Sequence, residues 1–153
     1  MFNLKAEFYL KIIFLFSFIA LTSAFFIEYI LGHQPCNLCL IERIPYGLSI
    51  MIIMAIFLIR KNQKFLVMLL ILTFIFSFAI SFYHFGIEQG FFQESSVCGV
   101  KSSTEIITKE DLLKQLSEKT ISCKDVTFRI FGLSLTSINI VINLLFIITL
   151  LKI

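Results

Sequence analysis

"FLVMLLILTFIFSFAISFYHFGI", Phe65–Ile87, runs 23 residues without an Asp, Glu, Lys or Arg. A helix needs about 20 apolar residues to cross the hydrocarbon layer, with a usual range of roughly 17–25, so this stretch reads as a transmembrane helix. Outward from it lie three more nearly charge-free stretches, Ile12–Ile27, Ile44–Ile59 and Ile130–Leu151. The last meets the length requirement directly. The first meets it if it runs from about residue 9 to 31, with Lys11 snorkelling at one end and Glu28 near the other. The second needs to begin earlier, near Cys39. The chain has 153 residues, 58% hydrophobic and only 15% charged, with 19 Phe and no Trp. A soluble domain rarely has so few charges. The sequence predicts an all-α membrane protein: a four-transmembrane-helix bundle with helices at about 9–31, 40–59, 65–87 and 130–151 and two extracytoplasmic cysteine-bearing loops at about 32–39 and 88–129. No repeat, low-complexity tract or linker divides residues 1–153, which read as a single integral membrane domain in the lipid bilayer.

The first stretch also has features of a signal peptide: Lys5 and Lys11 precede it, and "LTSA" ends on the small residue Ala24. The apolar run continues through Phe25, Phe26 and Ile27, which favours an uncleaved helix. Orientation follows from Lys and Arg in the short loops. "RKNQK" (60–64) holds Arg60, Lys61 and Lys64 and no acid, whereas residues 32–43 hold only Arg43, beside Glu42. "RKNQK" is therefore expected in the cytoplasm, and both termini with it. The segment Glu88–Arg129, with six Lys/Arg and seven Asp/Glu, is expected outside. The net charge of +3 reflects this topology and calls for no nucleic-acid partner.

That topology puts all four cysteines in the external loops: Cys36 and Cys39 in the first, Cys98 and Cys123 in the second. Disulfides persist in an oxidising compartment. Four cysteines allow three pairings, and proximity favours Cys36–Cys39 and Cys98–Cys123. A structural staple suits the second pair, whose bridge closes about 25 residues. It suits the first poorly, because a two-residue loop closes little chain. A C-x-x-C pair is more often redox-active, since its thiols stay close when reduced. Zinc is a weak alternative without a second C-x-x-C, and no metal site is assigned. A helix starting near Asn37, a good N-cap, places Cys39 and Arg43 one turn apart on one face. There the helix dipole and the guanidinium both favour a Cys39 thiolate. Arg43 alone also reads as an interfacial anchor, and Pro45 either opens helix two or kinks one that began earlier. With no C-x-x-C-H, four-cysteine cluster or G-x-G-x-x-G, elimination leaves a lipid-soluble electron acceptor.

"PCNLCLIERIPYG" (35–47) resembles the first external loop of the DsbB family, the quinone-linked membrane proteins that regenerate disulfides in bacterial periplasmic oxidases. "YHFGIEQG" (83–90) and "CKDVTFRIFGLSLTSIN" (123–139) resemble the segments that close helix three and open helix four. The resemblance covers nearly the whole chain. It implies that Cys36 and Cys39 are the membrane-proximal pair, with Cys39 facing quinone, ubiquinone or menaquinone being indistinguishable. It implies that Arg43 supports the quinone site and that His84 lies near its end, although alone His84 reads as a satisfied polar residue. It also implies that Cys98 is attacked by a reduced periplasmic DsbA-like thiol oxidase and that Cys123 is its disulfide partner. The implied activity is a membrane thiol oxidoreductase of the bacterial inner membrane, passing electrons from that thioredoxin-like partner to quinone. Asn37, Leu38 and Glu42 are assigned no role, and His33 and Glu28 read as interfacial polar residues. Thr108 followed by Asp111, with Leu112, Leu113 and Leu116 on one face, predicts a short amphipathic helix over about 108–119. Two other classes compete: a membrane scaffold with two structural disulfides, and a four-helix transporter using Glu28 or His84 as its proton-coupled group.

Overall fold

A computed structural model describes residues 4–59, 62–93, 98, 123–124, 129–130 and 133–152, with backbone alone at 129–130. The amphipathic helix expected over 108–119 lies outside them. Among the described residues the protein is all-helical apart from one small hairpin. Its helices are α1 (Leu4–Tyr29), α2 (Asn37–Leu58), α3 (Gln63–Glu88) and α4 (Leu135–Leu151). The first three are long and apolar enough to cross a membrane. The fourth has 17 residues, which at 1.5 Å per residue is about 26 Å, short of a hydrocarbon layer of about 30 Å. It begins five residues later than the charge-free stretch suggests. Residues Arg129–Ile130 (β1) and Leu133–Ser134 (β2) pair antiparallel instead, with Arg129 opposite Ser134. Ser134, in extended conformation, caps α4 by accepting the Ser137 N–H at 3.2 Å.

Pro45 lies inside α2. The helix continues through it, although Pro45 has no N–H for the Ile41 carbonyl. Long apolar residues such as Leu15, Met51, Phe76 and Leu145 are exposed on the outside of the four helices. Buried among the helices are Ser17, Ser49, Ser77, Ser81, Asn139 and Asn143. An apolar outside and small polar residues at helix contacts suit lipid as the solvent, where close approach and interhelical hydrogen bonds hold a bundle together. One such bond joins α2 to α1, from the Ser49 hydroxyl to Ser17 Oγ at 3.1 Å.

Each helix packs on the next in the chain, and the Phe16 and Phe146 rings, 5.4 Å apart, bring α1 against α4. The end of α1 meets the start of α2 through Glu28 and Arg43. The end of α3 meets the starts of α2 and α4 through His84, Glu42 and Thr136. The helices therefore alternate in direction. The core divides along the bundle axis. Towards the termini it is apolar: Leu10, Ile13, Ile53, Ile56, Leu70, Phe74, Phe146 and Leu150 fill the centre. The opposite half carries the cysteines and most of the buried polar groups.

Candidate active site

The C-x-x-C pair sits where the chain enters α2. Cys36, not Asn37, is the N-cap: its backbone is extended (φ −71°, ψ 166°) and its sulfur accepts the Cys39 N–H at 3.3 Å. Sulfur thus does the work of a capping oxygen, and the positive end of the helix dipole falls on Cys36. The two Sγ atoms stand 2.7 Å apart. His84 Nε2, from α3, lies 3.6 Å from Cys36 Sγ. The hydrogen bond from the Cys39 thiol, and after it the His84 ring, holds the Cys36 thiol far below its ordinary 9.0, at about 4, against burial, which pushes it up. Cys36 is buried and Cys39 only partly so. Ligand atoms of Cys36, Cys39 and His84 fall within 4.8 Å of one another, a donor set suited to a soft cation.

Glu42, left without a role in the sequence, is the hub of this site. One of its carboxylate oxygens lies 2.8 Å from His84 Nδ1. The other accepts from Asn139 Nδ2 of α4 at 2.9 Å. The same amide donates to Ser81 Oγ at 2.8 Å, while Asn139 Oδ1 accepts from the Tyr46 hydroxyl and from Asn143 Nδ2. Thr136 Oγ1 approaches the same nitrogen, 3.3 Å from His84 Nδ1, and donates to Glu88 Oε1 at 2.7 Å. Residues 77, 81, 84 and 88 of α3, 42, 46 and 49 of α2, and 136, 139 and 143 of α4 are thus polar groups at three- and four-residue spacing. That spacing inside apolar helices is the signal by which the sequence could have exposed Glu42, Glu88 and Thr136.

Arg43 faces the other way. Its guanidinium pairs with Glu28 of α1 and lies 5.3 Å over the Phe25 ring. Glu28, expected as a lone interfacial group, is its counter-charge. His84 stands with Cys36, Glu42 and Glu88, while Arg43 stands with Glu28 and Phe25. The second pair is bridged, Cys98 to Cys123, with Cα atoms 5.5 Å apart. Both are buried, and both pack with Cys36, Leu38 and Ile87 in one apolar cluster flanked by Cys39, Ile41, Ile80 and Tyr83. The end of α3 shapes this floor. Gly90 takes φ +79°, and the Phe92 N–H reaches back to the Gly86 carbonyl at 3.1 Å. The Phe92 ring then lies on Gly86 and stacks on Tyr83, centroids 5.7 Å apart.

A dithiol at a helix N-terminus, beside a disulfide and within a bundle that holds three membrane-length helices, defines a membrane thiol–disulfide oxidoreductase. The chain belongs to the DsbB family: the model described as "Disulfide bond formation protein DsbB" matches residues 6–153. A chain from Rickettsia prowazekii (strain Madrid E), described as "Uncharacterized protein RP370", is 33% identical over 130 residues, covering 84% of this chain and 76% of the relative.

Proposed function

We propose that this protein reoxidises a periplasmic, thioredoxin-like dithiol oxidase of the DsbA type and passes the electrons to a membrane quinone, ubiquinone or menaquinone. In this reading residues 1–153 form one domain with four spans in the bacterial inner membrane. Both termini are cytoplasmic, and the cysteine end faces the periplasm. The observation that carries it is the shared cluster: the Cys98–Cys123 bridge packs against Cys36, so two disulfide-forming pairs meet at one end of the bundle.

The exchange steps follow from sulfur chemistry, in which a thiolate attacks and a thiolate leaves. A partner thiolate attacks Cys98, forming a mixed disulfide and releasing Cys123. Cys123 attacks Cys36 in its disulfide with Cys39, forming Cys36–Cys123 and releasing Cys39. The partner's second thiolate attacks the mixed disulfide, leaves as an oxidised partner and frees Cys98. Cys98 then attacks Cys123, restoring their bridge and leaving Cys36 and Cys39 reduced. The quinone, when bound, supplies the acceptor for the resulting two electrons and two protons. The donor set around Cys39 fits such a ring. Cys39 is partly exposed, Arg43 offers charged N–H donors one turn along, and the apolar Phe25, Leu40 and Ile44 are exposed to lipid around them. Arg43 is assigned to the quinone, and His84, in contact with Cys36, to the thiol pair.

The test is quinone reduction by purified protein supplied with a reduced dithiol partner. Stoichiometric quinol and oxidised partner are expected. Arg43→Ala should weaken apparent quinone affinity at least 10-fold, and Arg43→Lys should restore it only in part, because ammonium lacks the planar fork. Failure of the wild type to reduce any quinone, with no mixed disulfide trapped at Cys98, would leave two structural bridges.

A further inference from the structure

The geometry points to a zinc site formed by Cys36, Cys39 and His84 in the reduced protein, in which one Zn2+ holds both sulfurs as thiolates and locks the pair against oxidation. The sequence lacks the second C-x-x-C of a common zinc pattern. The fold supplies a histidine instead, 48 positions from Cys36. Binding stands on these residues alone, and its consequence for turnover rests on the redox reading above.

The first observation is the spacing of the donors. One ligand atom from each of the three residues lies within 4.8 Å of the others. Zinc takes thiolate sulfur at about 2.3 Å and imidazole nitrogen at about 2.0–2.1 Å, so a tetrahedron around it has an S···N edge of about 3.6 Å and an S···S edge of about 3.8 Å. Cys36 Sγ and His84 Nε2, 3.6 Å apart, already stand at the first of these. The two sulfurs, 2.7 Å apart, have to separate by about 1 Å. Cys39 makes that move, because it is partly exposed, whereas Cys36 is buried and holds the helix cap. Three protein ligands leave the fourth position to water.

The second observation is the support behind the histidine. Glu42 holds Nδ1 at 2.8 Å, and its other oxygen is held by Asn139 at 2.9 Å. A carboxylate on one ring nitrogen fixes the tautomer and aims the other at a metal. Glu42 is thus the positioning residue, and Nε2 is the nitrogen turned to the sulfur. Charge then selects the ion. A thiolate and a carboxylate only accept, so beside a Cys36 thiolate both ring nitrogens donate and His84 is an imidazolium. Zn2+ displaces the Nε2 proton and the Cys39 thiol proton, and both go to solvent. The three residues and the ion then sum to zero, as the three residues did before. A monovalent ion would leave an uncompensated negative charge in a buried site beside Glu42. While both sulfurs are bound to zinc neither reaches the other, so the disulfide does not form. The oxidised pair has no thiolate to offer and releases the ion.

The test uses the reduced full-length protein in detergent, without quinone or partner. It is titrated with Zn2+ against a chromophoric chelator, and with Co2+ as a spectroscopic probe. One ion per chain is expected, with the thiolate-to-cobalt charge-transfer band and the visible bands of a tetrahedral ion, and none once the pair is oxidised. Cys36→Ser should abolish binding, His84→Ala should weaken it, and Cys98→Ser with Cys123→Ser should leave it intact. Glu42→Gln should lower the affinity by about 10-fold or more while the cobalt spectrum keeps its form. Should His84→Ala fail to fold, magnetic resonance of Cd2+ bound to wild type carrying nitrogen-labelled histidine decides alone: a cadmium–nitrogen coupling supports the site and its absence rejects it. In turnover, saturating Zn2+ should stop quinone reduction and a chelator should restore it. No bound ion, binding that survives Cys36→Ser, or binding lost with the Cys98–Cys123 pair overturns the site. Unslowed turnover of the loaded protein overturns the lock. Zn2+ binding by a protein that reduces no quinone would keep the site and reject the redox reading. Quinone reduction by a protein that binds no ion would do the reverse.

Discussion

Cys36 caps a helix with the same sulfur whose pKa its neighbours lower. Its sulfur accepts the Cys39 N–H, faces the Cys39 thiol and touches His84. The sequence directs the helix dipole and Arg43 at Cys39; the fold directs the dipole and the histidine at Cys36, because the sulfur occupies the capping position. Alkylation of Cys36 in the reduced protein should therefore persist well into acid, with a midpoint near pH 4 in place of the ordinary 9.0. The sign follows from a depressed acid: the thiolate's contribution to stability is complete above about pH 9 and is lost as pH falls through about 4. Cys39→Ala should move the midpoint up most and His84→Ala less, in the order of their influence on Cys36. A midpoint near 8–9, the range of a free thiol, would remove the thiolate from the resting reduced site.

At the scale of elements, the end of α3 forms the site's floor through a contact that a single methyl would break. A Cβ on Gly86 would stand 2.1 Å from Phe92 Cδ2. Gly86→Ala should therefore displace the ring and cost roughly 1–3 kcal/mol, as overpacking does. Combined with Phe92→Ala, which removes the obstacle, the same change should cost far less. Thermal unfolding in detergent of both single variants and the double variant reads this coupling. Additive costs would mean that the ring does not rest on Gly86 in solution. The family resemblance marked "YHFGIEQG" as the end of a helix; the left-handed turn at Gly90 comes from the fold. That Phe92 folds back onto Gly86 was invisible, because it depends on where the chain goes after the turn. The start of α4 was misplaced for a similar reason. Hydropathy continues unbroken from Ile130, but a two-residue pairing and the Ser134 cap delay the helix.

Across the whole molecule, polarity divides along the bundle axis. The half with the termini is closed by apolar side chains, and the half with the cysteines holds the buried carboxylates and His84. Asn62, the N-cap of α3, lies at the apolar end. In sealed cells, a cysteine placed at Asn62 should resist a membrane-impermeant thiol reagent until the membrane is opened. Cysteines of both loops should label after gentle reduction. Ready labelling at Asn62 would invert the orientation. The sequence by itself determined the membrane class, three membrane-length helices, the C-x-x-C at the mouth of α2 and the family, because these depend on composition and spacing along the chain, and lipid rewards apolar length wherever it occurs. Only the tertiary structure decided which sulfur caps α2, that Arg43 answers Glu28, and that Glu42, Glu88 and Thr136 converge on His84. Those contacts join residues up to 52 positions apart, and a buried charge reveals its partner only when the helices have brought the two together.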